Sequence, residues 1–187
     1  MKKKLLLHSC CAPCSSGVVP QLEEYDITLL FYNPNIDTLE EYDRRLDALK
    51  EYVDKYNTEF NSDIKYIAIP YNHNEFITSI NDDLRLASEG GARCSVCIDI
   101  RLDFTGKYAS NNGYDIFAST LSVSPHKNHE LINTLGQKIS GKYNIEYLPS
   151  NFKKNNGFLK SIENSKKYEI YRQNYCGCEF AKEHLLK

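Results

Sequence analysis

No apolar run in this chain comes near the roughly eighteen residues that a membrane-crossing helix needs, so no membrane span is expected. Tryptophan is absent, while tyrosine occurs fourteen times. The turn after the first strand-like segment carries no Gly-x-x-x-x-Gly-Lys-Ser pattern, and no Gly-x-Gly-x-x-Gly follows that strand. Ordinary ATP or dinucleotide binding therefore finds no support. No flavin or cobalamin motif is apparent, nor any internal repeat, low-complexity tract or long linker. The opening Met1-Lys-Lys-Lys followed by Leu5-Leu-Leu7 imitates a signal peptide, but the apolar stretch stops at His8, too short for a signal core. A first β-strand and a cytoplasmic protein are the expectation. At 187 residues, 41% hydrophobic and 26% charged, the chain suits one domain over 1–187.

What the chain does have is cysteine. Seven residues fall into three tight groups: Cys10, Cys11 and Cys14; Cys94 and Cys97; Cys176 and Cys178. In a reducing cytosol a stable disulfide framework is disfavoured, an odd count pairs poorly, and adjacent Cys10 and Cys11 would make a strained bridge. Closely spaced thiolates hold soft metals or do redox chemistry.

Strand-like and helix-like segments alternate. Lys4–His8, Ile27–Tyr32, Ile64–Pro70, Ile116–Ser119 and Ile145–Leu148 read as strands. Between them, helices are predicted over Ser15–Tyr25, Thr38–Tyr56, Glu75–Ser88, Cys94–Ser110 and His129–Ser140, with a last one over Ser161–Gln173. Leu39, Tyr42, Leu46, Leu49 and Val53 recur at helical spacing in the second of these. Such alternation predicts an α/β fold, a parallel sheet sandwiched by helices and Rossmann-like, with 151–187 as a C-terminal helical segment carrying Cys-Gly-Cys. Ligands of such folds gather beyond the carboxyl ends of the strands. The turns at Cys10–Cys14, Asn33–Asn35 and Ser119–His126 should line that rim.

Cys10-Cys11 at a strand-to-helix turn places two thiolates where helix N–H groups favour negative charge. Cys94-x-x-Cys97 at a helix start supplies two more. Adjacent cysteines fit one tetrahedral zinc awkwardly, whereas a cluster offers separate irons, so an iron–sulfur cluster is the better reading. Cys14, Cys176 and Cys178 remain. With Gly177 permitting a tight turn, they read either as a second, mononuclear metal site or as a Cys176–Cys178 redox dithiol. Charge is uneven: Lys138 to Lys187 carries ten Lys/Arg against five Glu, on a chain of net charge −2. Lys153, Lys154, Lys166, Lys167 and Arg172, interleaved with aromatics, are candidates for the phosphates of a nucleic-acid backbone. Tyr32, Asn33, Asn35, Ser124 and His126 are rim candidates for contact with a splayed base. His126 or Lys127 could also contact phosphate or shuttle a proton.

These residues together resemble the epoxyqueuosine reductases of the QueH family. The matching stretches are Leu7-His-Ser-Cys-Cys-Ala-Pro-Cys14, Phe31-Tyr-Asn-Pro-Asn-Ile36, Glu41-Tyr42 with Arg45, and Arg93-Cys-x-x-Cys97 with Arg101-Leu102. Ser119-Thr-Leu121 with Ser124-Pro125, and Tyr171-Arg-Gln-x-Tyr-Cys-Gly-Cys178, complete them in the expected order. The layout is also similar to the ATP-pyrophosphatase (HUP) fold of tRNA-thiolating enzymes, with Ser9-Cys-Cys-Ala-Pro-Cys14 standing where their Ser-Gly-Gly-x-Asp-Ser loop lies. The family resemblance implies an oxidoreductase that deoxygenates the epoxide of epoxyqueuosine in tRNA to an alkene. It implies a [4Fe–4S] cluster on Cys10, Cys11, Cys94 and Cys97. Catalytic roles fall to Cys14, Cys176 and Cys178, as a second mononuclear iron site or a redox-active disulfide pair. The implied partners are that tRNA and an unidentified electron donor, without ATP or membrane. Two rivals remain: a zinc-stabilised nucleic-acid-binding module without catalysis, and an ATP-dependent thiolation enzyme.

Overall fold

The computed structural model describes residues 1–185. Five strands, β1 (Lys4–His8), β2 (Asp26–Phe31), β3 (Lys65–Ala68), β4 (Ile116–Ser119) and β5 (Glu146–Tyr147), form one sheet in the order β3-β2-β1-β4-β5. Every pairing is parallel. β1 is central, and Leu5, Leu6 and Leu7 are wholly buried, as a strand covered on both faces requires. Alternation sends Leu5 and Leu7 to one face, with α1 (Ala12–Val18) and α2 (Leu39–Phe60), and Leu6 to the other, with α5 (Ala92–Asn111) and α6 (His129–Tyr143). The α/β parallel-sheet expectation holds.

Connections from β1 run outward on one side through β2 and β3, and β4 lies on its other flank. The crevice beyond the ends of β1 and β4 is therefore the switch point where such sheets bind ligands. β1 runs directly into Ser9-Cys10-Cys11, and β4 into Thr120.

Several helix limits differ from the sequence expectation, each for a local reason. The first helix ends at Val18 and tightens to a 3₁₀ turn at Val19–Gln21, because Pro20 cannot donate to an α-helical ladder. The segment expected as one helix at Glu75–Ser88 is two short ones, α3 (Asn74–Ile77) and α4 (Asp82–Leu86), the second capped by the Asn81 side chain on Leu84 N–H at 2.9 Å. α2 continues to Phe60 and stops at Asn61, which adopts the left-handed conformation. The late helix lies earlier than expected, as α7 (Gly157–Lys167), and Glu169 at φ 52° turns the chain away from it. A further short helix, α8 (Glu179–Leu185), follows Cys-Gly-Cys and was not foreseen.

α7 crosses α1 at very close range. A Cβ on Gly17 would meet Gly157 O at 2.2 Å, and the Asn164 amide donates to Ser16 O at 2.7 Å. This contact carries the C-terminal segment back to the helix that bears the first cysteines.

Candidate metal centre and cleft

Cys11 caps α1 from an extended backbone, its Sγ accepting from Cys14 N–H at 3.4 Å, with Pro13 in the first turn. Cys10 and Cys11 Sγ lie 3.8 Å apart, and the Cys10, Cys11 and Cys14 sulfurs are all within 4.8 Å of one another. The turn is pinned from three sides. Thr120 Oγ1 accepts from Cys10 N–H at 3.3 Å and donates to Cys10 Sγ at 3.4 Å. Asn33 donates to Ser9 O at 2.9 Å, and Ser15 Oγ to Cys11 O at 3.1 Å. Hydrogen bonds from the Cys11 and Cys14 thiols hold Cys10 well below the usual thiol range. Burial pushes Cys11 up to about 12, and hydrogen bonding to Cys10 raises Cys14. Crowded this closely and partly buried, the three sulfurs resist ionising together, and a bound cation would favour their thiolate forms.

The other four cysteines meet across the mouth. Cys94 and Cys97 stand one turn apart at the start of α5. Gly90, at φ 81°, donates its N–H to Cys94 Sγ at 3.3 Å. One turn further, the buried Arg101 donates through Nε to Cys97 O at 3.0 Å and through Nη2 to Cys97 Sγ at 3.3 Å. Burial pushes Cys97 up to about 11, against the pull of Arg101, and pushes Cys178 up to about 12. Cys176 moves the other way: Lys127 Nζ, 3.4 Å from its sulfur, lowers it. Gly177 at φ 119° makes the turn between them.

Cys94, Cys97, Cys176 and Cys178 line a cavity of about 140 Å³. Cys10, Cys14 and Cys176 line an adjoining cleft of about 710 Å³. Cys176, Arg101 and Lys127 line both, so the two groups open onto one mouth. All seven cysteines are free. A set of seven free thiols, three of them buried and four half-buried, faced by two cationic side chains, fits a thiolate-bound soft-metal centre better than a hard-metal site.

The rim candidates divide. Ser124 and His126 line the cleft. Tyr32 instead stacks on Phe104 with ring centroids 3.9 Å apart and donates to Glu75, while Asn33 is buried under the cysteine turn. Asn35 donates to Cys176 O at 3.4 Å. Of the proposed phosphate contacts, Lys154 and Lys166 are exposed, and Arg172 lines the cleft. Lys153 donates to Lys127 O at 2.8 Å, and Lys167 pairs with Glu59.

Sequence reading assigned no role to Arg45, which is 2% exposed and ties the Cys-Gly-Cys loop to α2. Its Nη1 donates to Cys176 O at 3.2 Å, its Nη2 to Tyr175 O at 3.3 Å, and its Nε pairs with Glu41 at 2.6 Å. Two signals in the sequence pointed to it: its place in the matching stretch Glu41-Tyr42 with Arg45, and its spacing of four from Glu41 on a helix. Asp37 N–H adds a bond to Gly177 O at 2.8 Å.

A family model described as epoxyqueuosine reductase QueH matches residues 5–184. A Staphylococcus aureus protein named epoxyqueuosine reductase QueH is 44% identical over 183 residues, covering 97% of this chain and 76% of that protein. The Acinetobacter baylyi protein of the same name is 37% identical, over 95% of this chain and 80% of its own length. That of Thermotoga maritima is 35% identical, over 95% and 89%.

Proposed function

Because this chain belongs to the epoxyqueuosine reductase QueH family of oxidoreductases, we propose that it reduces epoxyqueuosine to queuosine in tRNA. The reaction takes two electrons and two protons, breaks both epoxide C–O bonds, leaves an alkene and releases the oxygen as water. In this reading Cys10, Cys11, Cys94 and Cys97 hold a [4Fe–4S] cluster, and Cys14, Cys176 and Cys178 form a second iron site or a redox dithiol. The observation that carries it is the meeting of six of the seven cysteines along two adjoining cavities at the end of β1.

The bound cluster would supply one-electron transfer from an external donor. The chain's own residues supply the rest. Arg101 and Lys127 offset the negative charge that thiolates concentrate at the mouth. Lys127 favours the thiolate of Cys176, the more reactive form of that side chain. Arg45, Asn35 and Asp37 fix the loop that presents Cys176 and Cys178. Arg172, Lys154 and Lys166 offer charge for the phosphates of the RNA.

The test is an anaerobic assay on tRNA containing epoxyqueuosine with a chemical reductant, read by nucleoside mass spectrometry. Wild type converts the nucleoside, and Cys94→Ala loses both brown colour and turnover. Turnover that persists without colour rules out the cluster assignment. Cys178→Ala keeps the colour and stops turnover.

A further inference from the structure

Resting on the [4Fe–4S] reading above, we propose that Arg101 is a positioning residue that acts through the Cys97 sulfur: its guanidinium makes the centre held by Cys10, Cys11, Cys94 and Cys97 easier to reduce. Cys97 and Arg101 lie one turn apart on α5, so their side chains share a face. Ile98 and Leu102, the residues that follow each of them, are buried in the core, which fixes the helix beneath the pair. Arg101 is itself 2% exposed.

Two bonds aim the guanidinium. Nε donates to Cys97 O at 3.0 Å, using the lone pair that the helical N–H leaves free. With that anchor set, Nη2 reaches Cys97 Sγ at 3.3 Å. Among the described residues no carboxylate pairs with Arg101. The groups of opposite charge around it are sulfurs: Cys97 first, then Cys176, Cys10 and Cys178. A cation this deeply buried needs an anionic partner, and here thiolates take that place. The other cysteine of the Cys-x-x-Cys pair is held differently. Cys94 Sγ accepts from the Gly90 N–H at 3.3 Å, a neutral donor. Charge-assisted bonds are roughly twice as strong as neutral ones.

The consequence is electrical. One-electron reduction adds one negative charge to a thiolate-bound iron centre. A fixed positive charge and an N–H···S bond both favour the more negative form, and hydrogen bonds to the sulfurs are among the levers that set such potentials. Burial weakens the screening that would otherwise blunt both effects. The electron comes from the external low-potential donor. No bond forms or breaks at Arg101, which keeps its protons throughout. Lys127 carries the same charge into the same mouth, but its Nζ lies 3.4 Å from Cys176 Sγ. It therefore serves as the control for charge without the bond to Cys97.

The experiment is an anaerobic redox titration of the cluster-loaded full chain, poised with dithionite and mediators and read by the electron paramagnetic resonance of the reduced cluster. Wild type, Arg101→Gln, Arg101→Lys and Lys127→Gln are compared, with iron and sulfide content measured on each. At the wild-type midpoint, Arg101→Gln should show a reduced-to-oxidised ratio about tenfold lower, a shift of about 59 mV to more negative potential for one electron. Arg101→Lys, which keeps the charge, should recover part of that shift. Lys127→Gln should move the midpoint by less than Arg101→Gln does. Four results would overturn the proposal: an unmoved midpoint in Arg101→Gln, no recovery in Arg101→Lys, an equal shift in Lys127→Gln, which marks the general field of the mouth, or loss of iron and sulfide from both Arg101 variants, which marks a structural role. Wild type judges the parent reading separately. A cluster whose potential ignores Arg101 sinks this proposal alone, whereas a wild type that binds no cluster sinks the cluster assignment with it.

Discussion

Arg45 Nη1 donates to the carbonyl oxygen of Cys176 at 3.2 Å, so a helix on the far side of β1 sets the position of a cysteine more than a hundred residues away in sequence. The bond is one of three made by a guanidinium that is 2% exposed. Its planar fork reaches two adjacent carbonyls at once, which an ammonium cannot do.

Arg45→Lys should therefore fold and still lose turnover. Keeping the charge preserves the pair with Glu41 in part, but one of the two carbonyls loses its donor. We expect a stability loss of about 1–3 kcal/mol and a fall in kcat of about tenfold or more, with KM for tRNA little changed. Urea denaturation and steady-state kinetics read the two effects. Unaltered kcat in a folded variant would show that the clamp does not position the reactive thiols.

His8 gives a pH dependence whose sign is fixed by its partners. Its Nε2 faces Tyr32 O at 3.1 Å, and a carbonyl can only accept, so Nε2 carries the proton. Nδ1 then accepts from the Ser119 hydroxyl at 3.0 Å. Burial, helped by the nearby Arg101 charge, holds the ring down at about 4, below the ordinary 6.5. Between those values the unfolded chain binds a proton that the folded chain refuses. Folding stability is thus complete above about pH 6.5 and falls as pH drops toward 4, by up to about 3 kcal/mol from this residue. The imidazole resonances of His8 in metal-free reduced protein should show no protonation at about pH 6. Titration near the ordinary value would contradict the buried neutral ring.

Gly17 sits where α1 and α7 cross, and its missing Cβ is what lets them touch. Added there, a methyl would meet Gly157 O at 2.2 Å and the Ser161 Cβ at 3.0 Å. Neither neighbour is the tip of a flexible chain, so the helices must separate. Gly17→Ala should destabilise by about 1–3 kcal/mol, despite the better helix propensity of alanine. It should also loosen the segment that leads to Cys176. A denaturation midpoint equal to wild type would show that the crossing relaxes freely.

How much of this was legible beforehand follows from the range of each interaction. β1 and the cysteine turn are local: three leucines in register, a doublet and Pro13 mark the switch between strand and helix, and the structure puts them there. The split of α3 from α4 was missed because Asn81 acts as a cap only when the chain has already turned. Arg45 was visible as a residue and not as a clamp, since its partners at Tyr175 and Cys176 are brought close only by the fold. Lys127 and His126 could not be ranked from sequence. In the structure the former contacts Cys176 while the latter is exposed on the cleft wall.

That contact between Lys127 and Cys176 separates two thiols that the sequence presents as a symmetric pair. Lys127 Nζ stands 3.4 Å from Cys176 Sγ and lowers its titration, whereas burial drives Cys178 up to about 12. In metal-free reduced protein at about pH 7.5, iodoacetamide should therefore alkylate Cys176 well before Cys178, because the thiolate is the reacting form. Replacing the ammonium with an uncharged amide, in Lys127→Gln, removes the attraction that favours the thiolate. The rate–pH profile of Cys176 should then move to higher pH, while the slow labelling of Cys178, governed by burial, stays where it was. Peptide mass spectrometry after timed quenching resolves the two sites. If both thiols react at the same rate, or if the Cys176 profile is unmoved in Lys127→Gln, the ammonium does not set which sulfur of the pair reacts first.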